Sequence, residues 1–262
     1  MAVTRIDGVD RPLAAYAVRS IGSAELGDSL RQGWADFLDK RGDLLFIGII
    51  YPLVGFLAAI VALQGSLAHL IFPLAAGIAL LGPVAALGFY ELARRREQGL
   101  ESDWSHFLDV TRRPSFDALM IVTGLLLVIF VAWLAVAMGL YLALMGPAPE
   151  SLGLFVTRLF TTTEGWALIV LGNLAGALFA VLVLAVSVVS MPMLVDKDVD
   201  ARTAIDTSLR AFAANKSAML RWGITVAALL VLGSIPFFVG LAVALPVLGY
   251  ATWHLYTKLV VR

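Results

Sequence analysis

Long runs of apolar residues limit how this chain can fold more than any other feature of its sequence. A helix needs about 20 such residues to cross the roughly 30 Å hydrocarbon layer of a membrane. The clearest run, from Ala118 to Met145, contains no charged residue. Over the whole sequence, 60% of residues are hydrophobic and 15% are charged, whereas about 25% are charged in a typical soluble domain. A water-soluble fold is therefore disfavoured, and we predict an all-α polytopic membrane protein.

The apolar runs predict six transmembrane helices arranged as three hairpins. Their approximate ranges are 44–64, 67–90, 118–145, 166–194, 219–237 and 240–259. The last two ranges divide one continuous apolar stretch at Pro236 and Gly240, because both residue types favour a turn. One tilted helix followed by an interfacial helix fits the same stretch, so this pair of spans depends on where the turn lies.

The positions of Lys and Arg predict which side of the membrane each loop occupies. Basic residues concentrate in the cytoplasmic loops of membrane proteins. With six spans and both termini in the cytoplasm, all but one of the 19 basic residues are cytoplasmic, and only Arg158 is outside. We therefore expect a multi-pass protein of the bacterial inner membrane. Residues 1–20 have no signal-peptide core and predict a flexible cytoplasmic tail, followed by a single membrane domain over residues 21–262.

A short pattern recurs in the cytoplasmic segments. The residues Leu30, Trp34, Phe37, Leu38 and Asp39 recur 70 positions later as Leu100, Trp104, Phe107, Leu108 and Asp109. The apolar members lie at helical spacing, so each copy predicts an amphipathic helix on the cytoplasmic membrane surface. A weaker third copy contains Ile205, Leu209 and Phe212. We expect three repeat units, about 21–98, 99–195 and 200–262, each with an interfacial amphipathic helix followed by a hairpin.

The two stronger copies also nominate the residues that contact lipid. Aromatic residues on one face of an interfacial helix insert at the level of the headgroups, and anionic lipids attract basic side chains. The predicted lipid or interface contacts are Trp34, Phe37, Leu38, Trp104, Phe107 and Leu108, together with the arginines Arg94, Arg95 and Arg96. The alternative is that these segments pack against the ends of the membrane helices, and the two roles are compatible.

The interiors of the predicted spans contain no ionisable residue, which bears on transport. Pumps and ion-coupled transporters usually keep such residues within the bilayer, whereas the acids here lie outside the spans or at a rim, as Glu91 does. The strongest polar candidate at membrane depth is Asn173, between Gly172 and Gly176. Asn173 either lines a substrate site or forms an interhelical hydrogen bond beside a contact between small residues.

The sequence shows no motif for catalysis, metal binding or nucleic-acid binding. It has no cysteine, and its three histidines, His69, His106 and His254, do not have ligand spacing. Serine hydrolase, zinc protease, Walker and dinucleotide-binding patterns are absent. Its 19 basic and 19 acidic residues cancel, so global charge does not indicate a nucleic-acid partner. We expect a protein that is not an enzyme and has no cofactor, no metal and no nucleic-acid partner.

Three segments of the C-terminal part carry a family resemblance. They are Met191-Pro192-Met193-Leu194-Val195-Asp196, Met219-Leu220-Arg221-Trp222 and Pro246-Val247-Leu248-Gly249-Tyr250-Ala251-Thr252-Trp253-His254-Leu255-Tyr256. They resemble a family of bacterial integral membrane proteins, common in proteobacteria, that is catalogued as a domain of unknown function. More loosely, the chain is similar to the membrane domain fused to some glycerophosphodiester phosphodiesterases. The resemblance implies six spans in the inner membrane and no catalytic residue. Phosphodiesterase activity is not implied, because the sequence lacks the soluble catalytic domain.

Three functions fit these observations. The main expectation is a non-catalytic inner-membrane scaffold that interacts with phospholipids or partner proteins. The alternatives are a permease or small channel for a neutral or amphipathic solute, and an accessory subunit of a larger membrane complex such as a respiratory enzyme. The expected partners are membrane phospholipids and either a second copy of the chain or another membrane subunit. A cavity that reaches the middle of the membrane would favour transport.

Overall fold

The computed structural model describes residues 16–39, 73, 82–147, 152–235 and 239–262. These residues are mainly helical, and they contain no β-strand, only one isolated β-bridge. The all-α fold class is therefore confirmed for the described part of the chain. The predicted span at 44–64 and most of the span at 67–90 lie outside the described residues.

Helix α1 covers residues 23–39, and α2 covers Leu87–Glu97 after a helical turn at Gly82–Ala85. Two short 3-10 turns, Trp104–His106 and Asp109–Arg112, lead into the long helix α3 at Phe116–Met145. The remaining helices are α4 at Leu152–Thr161, α5 at Thr163–Ser187, α6 at Ser190–Asp196, α7 at Ala201–Ala214, α8 at Lys216–Ser234 and α9 at Leu241–Leu259.

Three helical segments in the described residues are long and apolar enough to cross a membrane. They are Phe116–Met145, Thr163–Asp196 and Lys216–Ser234, and they coincide with the predicted spans at 118–145, 166–194 and 219–237. The second segment combines α5 and α6. Helix α9 has nearly the bounds of the predicted sixth span but is not among these three segments. Six spans in three hairpins are therefore not confirmed.

The last apolar stretch forms two helices, as the sequence predicts. Helix α8 ends at Ser234, and α9 begins at Leu241. The two helices approach closely at Gly233 and Gly240, where a Cβ added to Gly240 would lie 2.8 Å from the Gly233 Cα. Only glycine permits this distance between the two backbones. The alternative, one tilted helix followed by an interfacial helix, also consists of two helices and is not contradicted by this break.

The prediction of a second amphipathic α-helix around Trp104 and Phe107 is wrong. Residues 100–115 contain only the two short 3-10 turns. Gly99, at φ 68°, ends the preceding helix, because glycine adopts this left-handed conformation without strain. Pro114 then disfavours α-helical geometry at the residue before it, and Arg113 is extended. The apolar spacing is real, but Gly99 and Pro114 bound the segment, and its residues fold as two short 3-10 turns instead of an α-helix.

The polar parts of the chain assemble at one end of the molecule. We call this assembly the polar cap and define it as residues 16–39, 88–115, 190–215 and 247–262. Its interior contains aromatic side chains that are almost fully buried, among them Phe89, Tyr250, Trp253 and Tyr256. Helices α3, α5 and α8 extend away from this cap.

The two ends of the described chain meet in the polar cap. Val18 and Val260 form an antiparallel β-bridge. The Arg19 N–H donates to the Leu259 carbonyl at 2.8 Å, and the Val261 N–H donates to the Ala17 carbonyl at 3.0 Å. Val18 also packs against the buried core. The flexible tail predicted for residues 1–20 is therefore wrong for residues 16–20, because their backbone finds hydrogen-bond partners and Val18 finds an apolar one.

Candidate membrane-interface site

Three consecutive arginines, Arg94, Arg95 and Arg96, lie in the last turn of α2, and the first of them is buried. Both Arg94 and Glu91 are almost inaccessible to solvent. Arg94 Nη2 lies 2.5 Å from Glu91 Oε1, and Arg94 Nε donates to Glu91 Oε2 at 3.0 Å. Such a two-point contact offsets the cost of removing both charges from water. Arg94 was a predicted lipid contact, but this buried ion pair leaves its guanidinium facing the protein.

Arg95 and Arg96 each bind one of the two segments that carry the repeated aromatic pattern. Arg96 Nη1 lies 2.8 Å from Asp39 Oδ2, and Arg95 Nη1 lies 3.3 Å from Asp109 Oδ2. Asp39 and Asp109 occupy equivalent positions in the two copies of the pattern. The repeat therefore corresponds to a shared contact with α2, although only the first copy is an α-helix.

A histidine beside Asp109 reinforces the second contact. His106 Nδ1 lies 2.7 Å from Asp109 Oδ2. The hydrogen bond with His106 and the positive charges of Arg112 and Arg95 hold the pKa of Asp109 below its ordinary value. Asp109 therefore stays ionised at neutral pH and keeps the segment attached to α2.

The aromatic residues divide in the same way in both segments. Phe37 is buried, and Phe107 packs edge-on against Phe89 with the ring centroids 5.1 Å apart. These two predicted lipid contacts face the protein core instead. The outward residues are Trp34, Leu38, Trp104 and Leu108, with exposures of 47, 41, 60 and 69%. We call these four residues the interface face.

Two glycines allow the aromatic segments to dock closely. A Cβ added to Gly88 would lie 2.4 Å from the Phe107 ring, and a Cβ added to Gly33 would lie 2.6 Å from the Ala251 backbone nitrogen. Any larger side chain at these positions would push the segments away from the core. Sequence reasoning missed both glycines, because glycine in a helix does not by itself indicate a close contact.

The C-terminal part of α9 contacts α1 through a histidine–carboxylate hydrogen bond and one ion pair. His254 Nε2 lies 2.7 Å from Asp36 Oδ2, and Lys258 Nζ lies 2.7 Å from Asp28 Oδ2. The hydrogen bond from Lys258 lowers the pKa of Asp28. The His254 ring of α9 therefore contacts a carboxylate of α1. The partner could not be found from the sequence, because it lies more than 200 positions earlier.

Glu97, the last residue of α2, connects α2 to α9 and the following residues. Trp253 Nε1 donates to Glu97 Oε2 at 3.2 Å, and Arg262 Nη1 donates to the same oxygen at 2.8 Å. The hydrogen bonds from Arg262, its charge and the Trp253 N–H lower the pKa of Glu97. Together with the contacts of α1, these bonds make the polar cap one connected, ion-paired unit.

The polar candidate at membrane depth does not form the predicted interhelical bond. Asn173 is exposed, and its Nδ2 donates to the Ile169 carbonyl of its own helix at 2.7 Å. A Cβ added to Gly176 would lie 3.3 Å from the Trp133 ring of α3, whereas a Cβ added to Gly172 would contact nothing within 4 Å. Gly176 therefore packs against a large aromatic ring of α3, and the predicted contact between small residues is seen at neither glycine in the described part of the chain.

A small crevice lies between α2, α5, α8 and α9, with a volume of about 100 Å³. Most of its walls are apolar, including Phe89 and Trp222. Two of its hydroxyl groups are already used: Ser187 donates to the Val183 carbonyl and Thr252 to the Leu248 carbonyl, both at 2.7 Å. These two hydroxyls therefore have no hydrogen left to donate to a polar solute.

The described residues contain no group of three or more His, Asp or Glu side chains arranged to hold a metal ion. Ser187 and Ser190, near the junction of α5 and α6, donate to carbonyls of the preceding turn. Neither hydroxyl is paired with a general base, so neither has the arrangement of an activated nucleophile.

Residues 71–196 match a protein family described as "Predicted integral membrane protein (DUF2189)". The matched range includes α2 to α6 and the Met191–Asp196 motif, but not the C-terminal motif from Pro246 to Tyr256. No curated protein and no solved structure matches the chain. The chain is thus similar to an uncharacterised family of membrane domains. With its three apolar helices, this similarity supports an integral membrane protein.

Proposed function

We propose that the protein is a non-catalytic scaffold of the bacterial inner membrane that contacts phospholipids through the interface face. The observation that carries the proposal is the shared arrangement of the two aromatic segments. In each segment an aspartate binds an α2 arginine, a phenylalanine packs inward, and a tryptophan and a leucine remain exposed. Trp side chains favour the headgroup region, where the ring is partly apolar and the N–H remains wet.

The same proposal includes six spans with the polar cap in the cytoplasm. Because Val18 and Val260 pair with each other, the chain between them must cross a membrane an even number of times. Three segments of the described residues have the length and composition of a span, so at least one more crossing is required. Helix α9 supports this count, since it leads from the far end of α8 back to Val260.

A second contact supports a span before α3. Trp133, which is buried in the middle of α3, donates its Nε1–H to the Pro73 carbonyl at 2.9 Å. Residue 73 lies within the predicted second span at 67–90, and this bond places it beside α3. The cytoplasmic orientation follows from the basic residues, nearly all of which belong to the same side as the polar cap.

The charged groups of the polar cap support a structural role for it. Glu91, Asp36, Asp109 and Glu97 each bind an arginine or histidine of another turn or helix. These groups hold the cap together and are not available to bind a substrate.

The test of the proposal replaces both exposed tryptophans in W34E/W104E. A carboxylate at these positions should weaken contact with the headgroup region, and we expect the phospholipid retained by the purified protein to fall at least about twofold. The matched control is A35E/S105E, which adds the same charges at exposed neighbouring positions and should retain phospholipid like the unmodified protein. Equal retention in both variants, with equal recovery of any co-purifying protein, would reject the scaffold function.

A further inference from the structure

Three cations near the start of α8 are not used by the ion pairs of the polar cap. Among the described residues, no carboxylate lies within ion-pair distance of Arg19, Lys216 or Arg221. All three residues are exposed. They differ in this respect from the three arginines at the end of α2, each of which has a carboxylate partner. Within the described residues, these three cations therefore have no carboxylate as an ion-pair partner.

Asn215 brings two of these cations together. Its side chain is buried, its Nδ2 donates to the Arg19 carbonyl at 3.0 Å, and its Oδ1 accepts from the Ile21 N–H at 2.8 Å. Lys216 is the next residue and begins α8. The Arg19 backbone is also held by its bond to the Leu259 carbonyl. Arg19 and Lys216 thus extend from adjacent, well-fixed points of the backbone.

Arg221 lies between α8 and the first turn of α1. Its Nη1 donates to Ser23 Oγ at 3.3 Å, and its Nη2 donates to Ser217 Oγ at 3.1 Å. Both hydroxyl oxygens act as acceptors here, so their hydrogens are free to donate to a further acceptor.

The position of the cations along α8 corresponds to the headgroup level of a membrane. Lys216–Ser234 is one of the segments able to span a membrane, and Arg221 lies in its second turn. Leu220 and Ile224, next to Arg221 on the exposed surface, begin the apolar strip of this helix. A cationic surface therefore continues directly into a surface suited to acyl chains.

We propose that Arg19, Lys216 and Arg221 bind the phosphate group of an anionic glycerophospholipid whose acyl chains lie along Leu220 and Ile224. We call this surface the α8 cationic site. Charge complementarity identifies the phosphate, because the site supplies three cations and two hydroxyl donors. The nearby Glu25 carboxylate is held by the Gly22 N–H at 2.8 Å and pairs with none of the three cations. The adjacent apolar strip identifies the lipid as its source. The site goes beyond the proposed function, since it uses none of the residues of the interface face.

The test measures the thermal midpoint of the purified protein in a neutral detergent while phosphatidylglycerol or phosphatidylcholine is added. Phosphatidylglycerol should raise the midpoint of the unmodified protein, and phosphatidylcholine should raise it much less. An anionic surface attracts each basic side chain by an energy equivalent to about a fivefold change in affinity. The variant R19Q/K216Q/R221Q should therefore need on the order of 100-fold more phosphatidylglycerol for the same shift.

The matched control R31Q/R112Q/R210Q removes the same number of positive charges from arginines that have a carboxylate partner. It should need within about twofold of the unmodified protein's phosphatidylglycerol concentration, because paired arginines contribute little to the surplus charge. An equal response of the two triple variants would overturn the proposal. W34E/W104E should keep the full response, which separates a failure of this site from a failure of the proposed function.

Two further arms complete the test. Glycerol 3-phosphate carries the same phosphate chemistry without acyl chains and should leave the midpoint unchanged; a shift equal to that of phosphatidylglycerol would overturn the assignment to a lipid. If the triple variant does not fold, R221Q alone removes one exposed guanidinium. It should raise the required phosphatidylglycerol concentration about fivefold, and an unchanged concentration would overturn the proposal.

Discussion

Val18 and Val260 are paired in an antiparallel β-bridge, although 241 residues lie between them in the sequence. Two bonds flank the pair, one from the Arg19 N–H to the Leu259 carbonyl and one from the Val261 N–H to the Ala17 carbonyl. In a membrane protein this bridge requires both segments to lie on the same side of the bilayer. It therefore tests topology and fold together.

The bridge predicts a disulfide between cysteines introduced at Val18 and Val260. The flanking bonds make this a non-hydrogen-bonded pair, in which the Cα atoms lie about 4.5 Å apart and within disulfide range. The sequence contains no cysteine, so V18C/V260C has a single pair to oxidise. We expect copper phenanthroline to produce a faster-migrating, reductant-sensitive band in most molecules.

The control for this cross-link is V18C/V261C. Val261 is exposed and Val260 is buried, so the side chain at position 261 points away from Val18. The control should form little of the band under the same conditions. Equal cross-linking in the two variants, or none in either, would contradict the bridge.

Gly33 and Gly27 offer a matched comparison of two glycines in α1. A Cβ at Gly33 would lie 2.6 Å from the Ala251 nitrogen, whereas a Cβ at Gly27 would contact nothing within 4 Å. We expect G33A to destabilise the protein by about 1–3 kcal/mol through overpacking. G27A should stabilise it by up to about 1 kcal/mol, because alanine favours a helix more than glycine does. Thermal unfolding in detergent measures both effects, and equal shifts would argue against the packing of α1 on α9.

Removing one partner of the Glu91–Arg94 ion pair should lower the free energy of unfolding much more than replacing both partners. E91A leaves the buried Arg94 without its carboxylate, and we expect a loss of about 3–5 kcal/mol. The double variant E91M/R94L removes both charges and should recover most of that loss. The free energy of unfolding of the three proteins checks this prediction. A double variant no more stable than E91A would show that packing, not charge burial, limits this position.

Glu97 makes the cap sensitive to acid. Hydrogen bonds from Arg262 lower its folded-state pKa below the ordinary value of 4.5. The stabilisation is therefore fully present above about pH 4.5 and is lost as the pH falls through the lowered pKa. E97Q should lose about 1 kcal/mol at neutral pH and show a shallower loss below pH 4.5. The thermal midpoint measured against pH gives both values, and parallel curves would contradict this role.

The apolar helices could be predicted because length and hydrophobicity are properties of the local sequence. Helix α3 begins at Phe116 and ends at Met145, close to the predicted range of 118–145. Pro236 and Gly240 likewise marked the turn between α8 and α9. The spacing around Trp104 is equally regular, yet these residues form 3-10 turns that pack against α2, and the spacing alone does not reveal that contact.

The contacts of the candidate site could be predicted only in part. The aromatic pattern nominated Trp34 and Trp104, which are exposed, together with Phe37 and Phe107, which pack inward. Nothing local distinguishes the two kinds of aromatic residue. Arg94 could have been suspected from its spacing with Glu91, since residues three apart share a helix face. The partner of His254 could not, because a contact across the fold leaves no local signal.

The cytoplasmic location of the polar cap is tested most directly by labelling single cysteines with a membrane-impermeant maleimide. The cells are intact except for a permeabilised outer membrane. S20C and S105C place the probe on exposed residues of the polar cap, and T157C places it on exposed α4. We expect T157C to react in these cells, whereas S20C and S105C should react only after lysis. Reaction of S20C or S105C before lysis, or protection of T157C, would contradict a cytoplasmic cap and the topology built on it.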